Sequence, residues 1–167
     1  MDPLSIAASV AALCSAGSAA YNIANSLYRS SDRVNGVGED IKTFAMEVDN
    51  FGTAMGTAYS ALEPRCTPTN SSSCVIRYLI QNGGLKSLAK QSKRLMKNIK
   101  EYNPDIRARR GKLGFVTRVM WTFQRKDVNA LRLRMESVKT NLQIIISSII
   151  LEELKDKPHS TDNEKHM

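Results

Sequence analysis

One spacing pattern restricts what this chain can fold into more than any other feature. Between Val128 and Ile149, large apolar residues recur at alternating steps of three and four. A helix of 3.6 residues per turn places them on one face, whereas a strand would divide them between two faces. The seam consists of Val128, Leu131, Met135, Val138, Leu142, Ile145 and Ile149. The spacing predicts a long helix with Asp127 as its N-cap and an apolar seam to about Leu154.

Two earlier segments carry the same spacing. The segment from about Cys74 to Tyr102 is interrupted at Asn82-Gly83-Gly84 and stops at Asn103-Pro104, as helices do before proline. A Pro- and Ser-rich loop is predicted over 63–73. The other segment runs from Asn35-Gly36 to about Leu62, and its seam is Val37, Ile41, Phe44, Val48, Phe51, Met55, Tyr59 and Leu62.

The opening segment has no charge. Asp2-Pro3 is a typical helix start, and the 26 residues from Pro3 to Tyr28 contain no Asp, Glu, Lys or Arg. Its large apolar residues, candidates for membrane insertion, are Leu4, Ile6, Val10, Leu13, Ile23 and Leu27. A ridge of alanines four residues apart consists of Ala8, Ala12, Ala16, Ala20 and Ala24. Small residues in such a row let another helix approach closely, and the alternative to membrane insertion is an ordinary core helix.

These segments predict an all-α fold. Four long helices joined by short connections bury their apolar faces best in a helix bundle, and we expect one or two short helices in addition. We expect one domain over 1–154 and a polar, disordered tail or linker over 155–167. A further short helix is expected near Phe115 to Phe123, with Trp121 as a plug between helices or as an anchor at a membrane interface.

Basic residues are concentrated in one part of the chain. The net charge is +8, and Lys86 to Lys126 alone carries 13 Lys or Arg against Glu101 and Asp105, a local charge of +11. Such a segment favours an anionic partner, and its alternative is a set of solvated helix faces. Nucleic acid is disfavoured because few aromatic residues interleave the basic ones. The candidates for binding acidic phospholipid are Lys86, Lys90, Lys93, Arg94, Lys97, Arg107, Arg109, Arg110 and Lys112.

The sequence contains no recognisable catalytic set. Its two histidines lie in the polar tail, its carboxylates are scattered, and no Gly-rich phosphate motif or metal-ligand spacing is present. We therefore expect no enzyme activity, no small-molecule substrate, no metal and no cofactor. The three cysteines, Cys14, Cys66 and Cys74, favour a reduced intracellular protein, although Cys66 and Cys74 flank one loop and could pair.

Two stretches carry a resemblance to a known family. The opening Met1-Asp2-Pro3-Leu4-Ser5-Ile6-Ala7-Ala8-Ser9-Val10-Ala11 resembles the start of fungal N-terminal domains on STAND, or NLR-like, receptors. The stretch Trp121-x-Phe123 … Lys126-x-Val128-x-x-Leu131 … Lys139-x-x-Leu142 resembles the family's second signature, with Met135 where a leucine is usual. Within this superfamily the chain is similar to the HeLo-like domains over residues 1 to about 150.

The resemblance implies a role in innate immunity and programmed cell death. It implies a helical bundle, cytoplasmic at rest, that self-associates on activation, moves to the plasma membrane and permeabilises it through the first helix. The alternative is a non-lytic adaptor bundle that mediates homotypic association in signalling.

Overall fold

The computed structural model describes residues 3–33, 36–66, 73–101 and 125–156, and all regular structure within them is helical. The predicted all-α architecture, with four long helices and short additional ones, is confirmed. The elements are α1 (Pro3–Ser31), α2 (Gly38–Leu62), a 3₁₀ turn (Glu63–Arg65), α3 (Cys74–Gln81), α4 (Gly84–Glu101) and α5 (Arg125–Asp156).

The four long helices form a closed ring. Helix α1 packs against α2 and α4, and α5 packs against the same two helices from the other side, so α1 and α5 occupy opposite corners. The short connection between α1 and α2 makes that pair an antiparallel hairpin. Helix α3 lies against α4 and α5. The ring therefore encloses one core, to which every long helix contributes a face.

The predicted seams form this core. Six residues of the α2 seam are fully buried: Ile41, Phe44, Val48, Phe51, Met55 and Leu62. Leu142 of α5 is almost completely buried. Two expectations for α5 were wrong. Its apolar seam ends at Ile149, because Leu154 is 59% exposed, and the helix begins at Arg125, so Asp127 lies in the first turn instead of at the N-cap.

The break between α3 and α4 falls where the sequence predicted it. Gly83 has a φ of 67°, a left-handed conformation that glycine adopts without steric cost. The chain therefore turns sharply there, and Gly84 opens α4. The start of α3 is capped by Ser73, whose hydroxyl accepts a hydrogen bond from the Ile76 backbone N–H at 3.2 Å.

Several predicted features lie outside the described residues. They are the helix near Phe115 to Phe123 with Trp121, most of the 63–73 loop, and the tail beyond Asp156. Lys155 and Asp156, predicted as the start of the tail, are the last residues of α5.

Candidate anion-binding surface

Helix α4 separates apolar and basic residues onto different faces. Leu85, Leu88, Leu95 and Ile99 are buried, and they recur at the spacing of one helical face. The outward face carries a lysine row, all five members of which are exposed: Lys86, Lys90, Lys93, Lys97 and Lys100. Steps of four and three keep the row on a single stripe, so α4 presents a line of positive charge along its length.

The lysine row has no acidic partner among the described residues. The ion pairs found there lie elsewhere: Arg65 with Glu153 at 2.6 Å, Arg132 with Glu47 at 2.6 Å, and Lys139 with Glu136 at 2.9 Å. Helix α4 contains one acidic residue, Glu101, at its last position. No carboxylate in the described part of the chain therefore compensates the positive charge of the row, and its exposed lysines are accessible to an external anion.

The other predicted lipid-binding residues divide into two groups. Arg94 is exposed on α4 but faces a groove shared with α5. The remaining four lie outside the described residues: Arg107, Arg109, Arg110 and Lys112.

The apolar candidates of α1 point mostly into the bundle. Val10, Leu13, Ile23 and Leu27 are buried, and Ile6 is half-buried, whereas the side chain of Leu4 lies outside the described part of the structure. Solvent meets the small and polar residues of α1 instead, among them Ala7, Ala11, Ser15, Ser18 and Asn22. The large side chains thus serve the core in this conformation.

The alanine ridge is placed unevenly along α1. Ala16, Ala20 and Ala24 are buried, Ala12 is half-buried, and Ala8 is exposed. The C-terminal three residues of the ridge therefore face the bundle, and its first residue faces solvent.

Helices α1 and α2 approach most closely at a pair of glycines. A Cβ added to Gly52 would lie 3.0 Å from the Ala20 Cβ and 3.1 Å from the carbonyl oxygen of Gly17. A Cβ added to Gly17 would in turn lie 3.1 Å from the Gly52 carbonyl oxygen. The two backbones are so close that a Cβ at either position would require its neighbours to shift by a few tenths of an ångström. The alanines of this contact are visible in the sequence as a ridge, whereas its glycines were not predicted.

By length and composition, α1 alone among the described helices could cross a membrane. Its candidate span runs from Ile6 to Ser31, and one third of the most apolar 18-residue stretch is buried in the bundle. The core helix of a soluble protein passes the same test, so this property alone does not distinguish the two.

A carboxylate clamp near the end of α5 was not foreseen from the sequence. Glu152 accepts hydrogen bonds from the Ser73 hydroxyl, from the Cys74 backbone N–H, and from the Val75 backbone N–H at 3.4 Å. The hydrogen bond from Ser73 and then that from Cys74 lower the pKa of Glu152 below its usual value. The clamp satisfies the free N–H groups at the start of α3 and ties that helix to α5.

The cysteines are unpaired in this structure. Cys74 is exposed and Cys66 is half-buried, and burial raises the pKa of the Cys66 thiol. No group of three or more His, Cys, Asp or Glu side chains able to hold a metal ion occurs within the described residues. Comparisons with protein-family models, with curated proteins and with solved structures found no match.

Proposed function

We propose that this chain is a HeLo-like effector bundle of the fungal innate-immunity and incompatibility type, which docks on acidic phospholipid through the lysine row of α4. The observation that carries the proposal is the absence of any acidic partner for this row among the described residues. Each Lys near an anionic leaflet contributes about 1 kcal/mol, so the five together suffice for reversible binding. The activation step and the cell-death role rest on the family resemblance.

Docking leaves α1 inside the bundle, so permeabilisation requires a second step. On activation, self-association concentrates the bundles at the membrane, and α1 leaves its contacts with α2 and α4. The large residues Val10, Leu13, Ile23 and Leu27 then face lipid instead of the core. The serines and asparagines of α1 make it a poor single span, and in an oligomer they hydrogen-bond between helices packed along the alanine ridge.

A second candidate function, the non-lytic adaptor, is favoured by a different observation. Helix α5 exposes five large apolar side chains, four of them near its C-terminal end: Leu133 (74%), Ile144 (58%), Ile150 (48%), Leu151 (59%) and Leu154 (59%). Exposed apolar side chains concentrated at one end of a helix favour a protein–protein contact there. In this alternative, the bundle associates through α5, and α1 never leaves the core.

Charge reversal on α4 tests docking. The variant Lys90→Glu/Lys93→Glu/Lys97→Glu should lose most of its co-sedimentation with phosphatidylserine vesicles, because three attractive contacts become repulsive. The matched control Lys42→Glu/Lys126→Glu/Lys155→Glu changes the net charge equally at exposed lysines outside α4. Equal loss of binding in both variants would mean that net charge alone attracts the protein, and the proposed docking face would be wrong.

A charge placed on α1 tests insertion without disturbing the bundle. Ser15 is exposed in the folded state, so Ser15→Lys should fold normally. A lysine near the middle of a membrane span costs about 2.5–3.5 kcal/mol, so dye leakage from vesicles should fall by about 50-fold or more. Ser60→Lys, on the exposed surface of α2, adds the same charge and should leave leakage unchanged. Equal leakage from both variants would contradict insertion of α1, and no leakage from the parent chain would favour the adaptor.

A further inference from the structure

A groove between α4 and α5 differs from the lysine row in its chemistry. Arg94 lines it from α4 and Arg134 from α5, and the cavity volume is about 300 Å³. Gln91, Asn98 and Ser137 also line the groove and add amide and hydroxyl groups. Both arginines are exposed, so their guanidinium groups are accessible to a ligand.

Neither arginine is neutralised by a neighbouring carboxylate among the described residues. The acidic residue nearest in sequence to Arg134 is Glu136, and its carboxylate is paired with Lys139 at 2.9 Å. The neighbouring arginine of α5, Arg132, is paired with Glu47 of α2. The groove therefore holds two positive charges and several uncharged donors, and no described carboxylate lines it.

This donor set matches a phosphate monoester better than other anions. A guanidinium group binds phosphate through two parallel N–H···O bonds, and two of them balance the charge of nearly −2 that a monoester carries near pH 7. A carboxylate or a phosphodiester carries a charge of only −1 and has fewer terminal oxygens. Below the polar groups, the buried side chains of Leu95 and Val138 line the groove. The cavity volume is at the small end for ligand pockets and suits a single phosphorylated polyol ring.

We propose that Arg94 and Arg134 bind the phosphate monoester of a phosphorylated polyol, and that in the docked bundle this group belongs to a lipid headgroup. Arg94 is exposed on the same helix as the lysine row, about 100° round the helix axis from Lys93, so a leaflet that meets this edge of α4 can contact both the row and the groove. The lipid part of this inference rests on the proposed function. The phosphate specificity does not, since a soluble ligand tests it separately.

A titration with inositol 1,4,5-trisphosphate tests the groove in the absence of membrane. The full chain carrying Arg94→Gln/Arg134→Gln should bind the trisphosphate at least about tenfold more weakly than the parent chain. The control Lys42→Gln/Lys155→Gln removes the same charge at exposed sites outside the groove and should bind within about twofold of the parent. Equal weakening in both variants, or no binding by the parent chain, would overturn the phosphate site.

Arg94→Lys/Arg134→Lys separates charge from geometry. This variant keeps both positive charges and removes the planar guanidinium groups. Weakened trisphosphate binding, between that of the parent and that of the glutamine variant, supports bidentate recognition. Binding equal to that of the parent would overturn recognition by the arginine pair and leave only charge attraction.

Vesicles identify the source of the phosphate. At equal total negative charge, the parent chain should bind phosphatidylinositol 4-phosphate vesicles several-fold more tightly than phosphatidylserine vesicles. The glutamine variant should lose this preference while it still binds phosphatidylserine through the lysine row. A preference that survives in the variant would overturn the headgroup assignment. Arginine-dependent binding of the trisphosphate without any vesicle binding would overturn both the lipid source and the proposed docking, and would leave a soluble phosphate as the ligand.

Discussion

Helices α1 and α4 are neighbours in the ring, and both bury large apolar residues, but they differ in what they present to solvent. Helix α1 has 26 consecutive residues without a charge and directs most of its large side chains into the core. Helix α4 directs a leucine-rich face into the same core and presents five lysines to solvent. The helix without charges along most of its length therefore keeps most of its large apolar side chains in the core, with Tyr21 as an exposed exception.

This difference separates the two events of the proposal, docking and insertion. In the folded bundle, the lysines of α4 are accessible, whereas Val10, Leu13 and Leu27 of α1 are buried. The proposed docking therefore needs no conformational change, whereas the proposed insertion needs α1 to leave its contacts with α2 and α4. The two events depend on different residues, so substitutions can be chosen that affect one and not the other.

Truncation of a core residue of α1 should have the largest effect on stability. Leu13 is fully buried, so Leu13→Ala should lower the free energy of unfolding by about 2–5 kcal/mol. Lys90→Ala, on the exposed face of α4, should change it by less than about 0.5 kcal/mol. Urea denaturation followed by circular dichroism measures both values. Similar losses in the two variants would mean that the inward and outward faces are not divided as described.

The glycines of α2 provide a finer test of how tightly α1 is held. Gly52→Ala places a methyl group 3.0 Å from the Ala20 Cβ, and overpacking of this kind costs about 1–3 kcal/mol. Gly56→Ala meets nothing within 4 Å and should stabilise the protein by about 0.4–1 kcal/mol, because alanine restricts the unfolded chain. The two changes are chemically identical and lie one helical turn apart. A lower melting temperature for Gly52→Ala and a higher one for Gly56→Ala, measured by thermal denaturation, would therefore identify the close contact with α1.

The same pair connects stability to the proposed insertion. Weaker packing at Gly52 should ease the release of α1, so the Gly52→Ala variant should cause faster dye leakage than the parent chain. Gly56→Ala should not. If the Gly52→Ala variant is less stable and leaks at the parental rate, release from α2 does not limit permeabilisation.

Most of the fold was predictable because its core residues follow one simple period. Most seam residues of α2 and α5 are buried, as their three-and-four spacing indicated, and two of them, Tyr59 and Ile145, are half-buried. The three-and-four spacing ends at Ile149, because the positions three and four residues further on are Glu152 and Glu153. Leu154 lies five residues after Ile149, which places it well away from the seam, and it is exposed. The expected seam was therefore too long because apolar content was followed beyond the residues that kept the spacing.

The candidate sites were less predictable because they depend on residues distant in sequence. The lysine row lies within one helix, and four of its five members were predicted from the sequence, whereas Lys100 was not. Arg134 was not singled out, since its relation to Arg94 exists only where α5 packs beside α4. The contact between Gly17 and Gly52 likewise joins two helices. A single glycine within a helix does not by itself predict a close helix–helix contact, because its known local effect is only to lower helix propensity.

The contact between α3 and α5 should lose stability in acid before the contact between α1 and α2. Helix α3, which leads into α4, is held to α5 by the Glu152 carboxylate, whereas α1 and α2 meet through apolar and small residues. The pKa of Glu152 is lowered in the folded state, so the unfolded state binds its proton more readily. Its contribution to stability is therefore complete above the unfolded pKa of about 4.3 and is lost as the pH falls through the lower folded pKa.

Hydrogen exchange can resolve this difference along the chain. As the pH falls below about 4, protection factors for the Cys74 and Val75 amides should drop before those in the middle of α1 and α2. Glu152→Gln should produce a similar loss at neutral pH, because a neutral amide accepts these hydrogen bonds more weakly. Glu153→Gln, which removes the ion pair with Arg65, should leave the two amides protected. If the amides of α1 and α3 lose protection at the same pH, the bundle opens as one unit. The packing of α1 would then not be independent of the contact between α3 and α5.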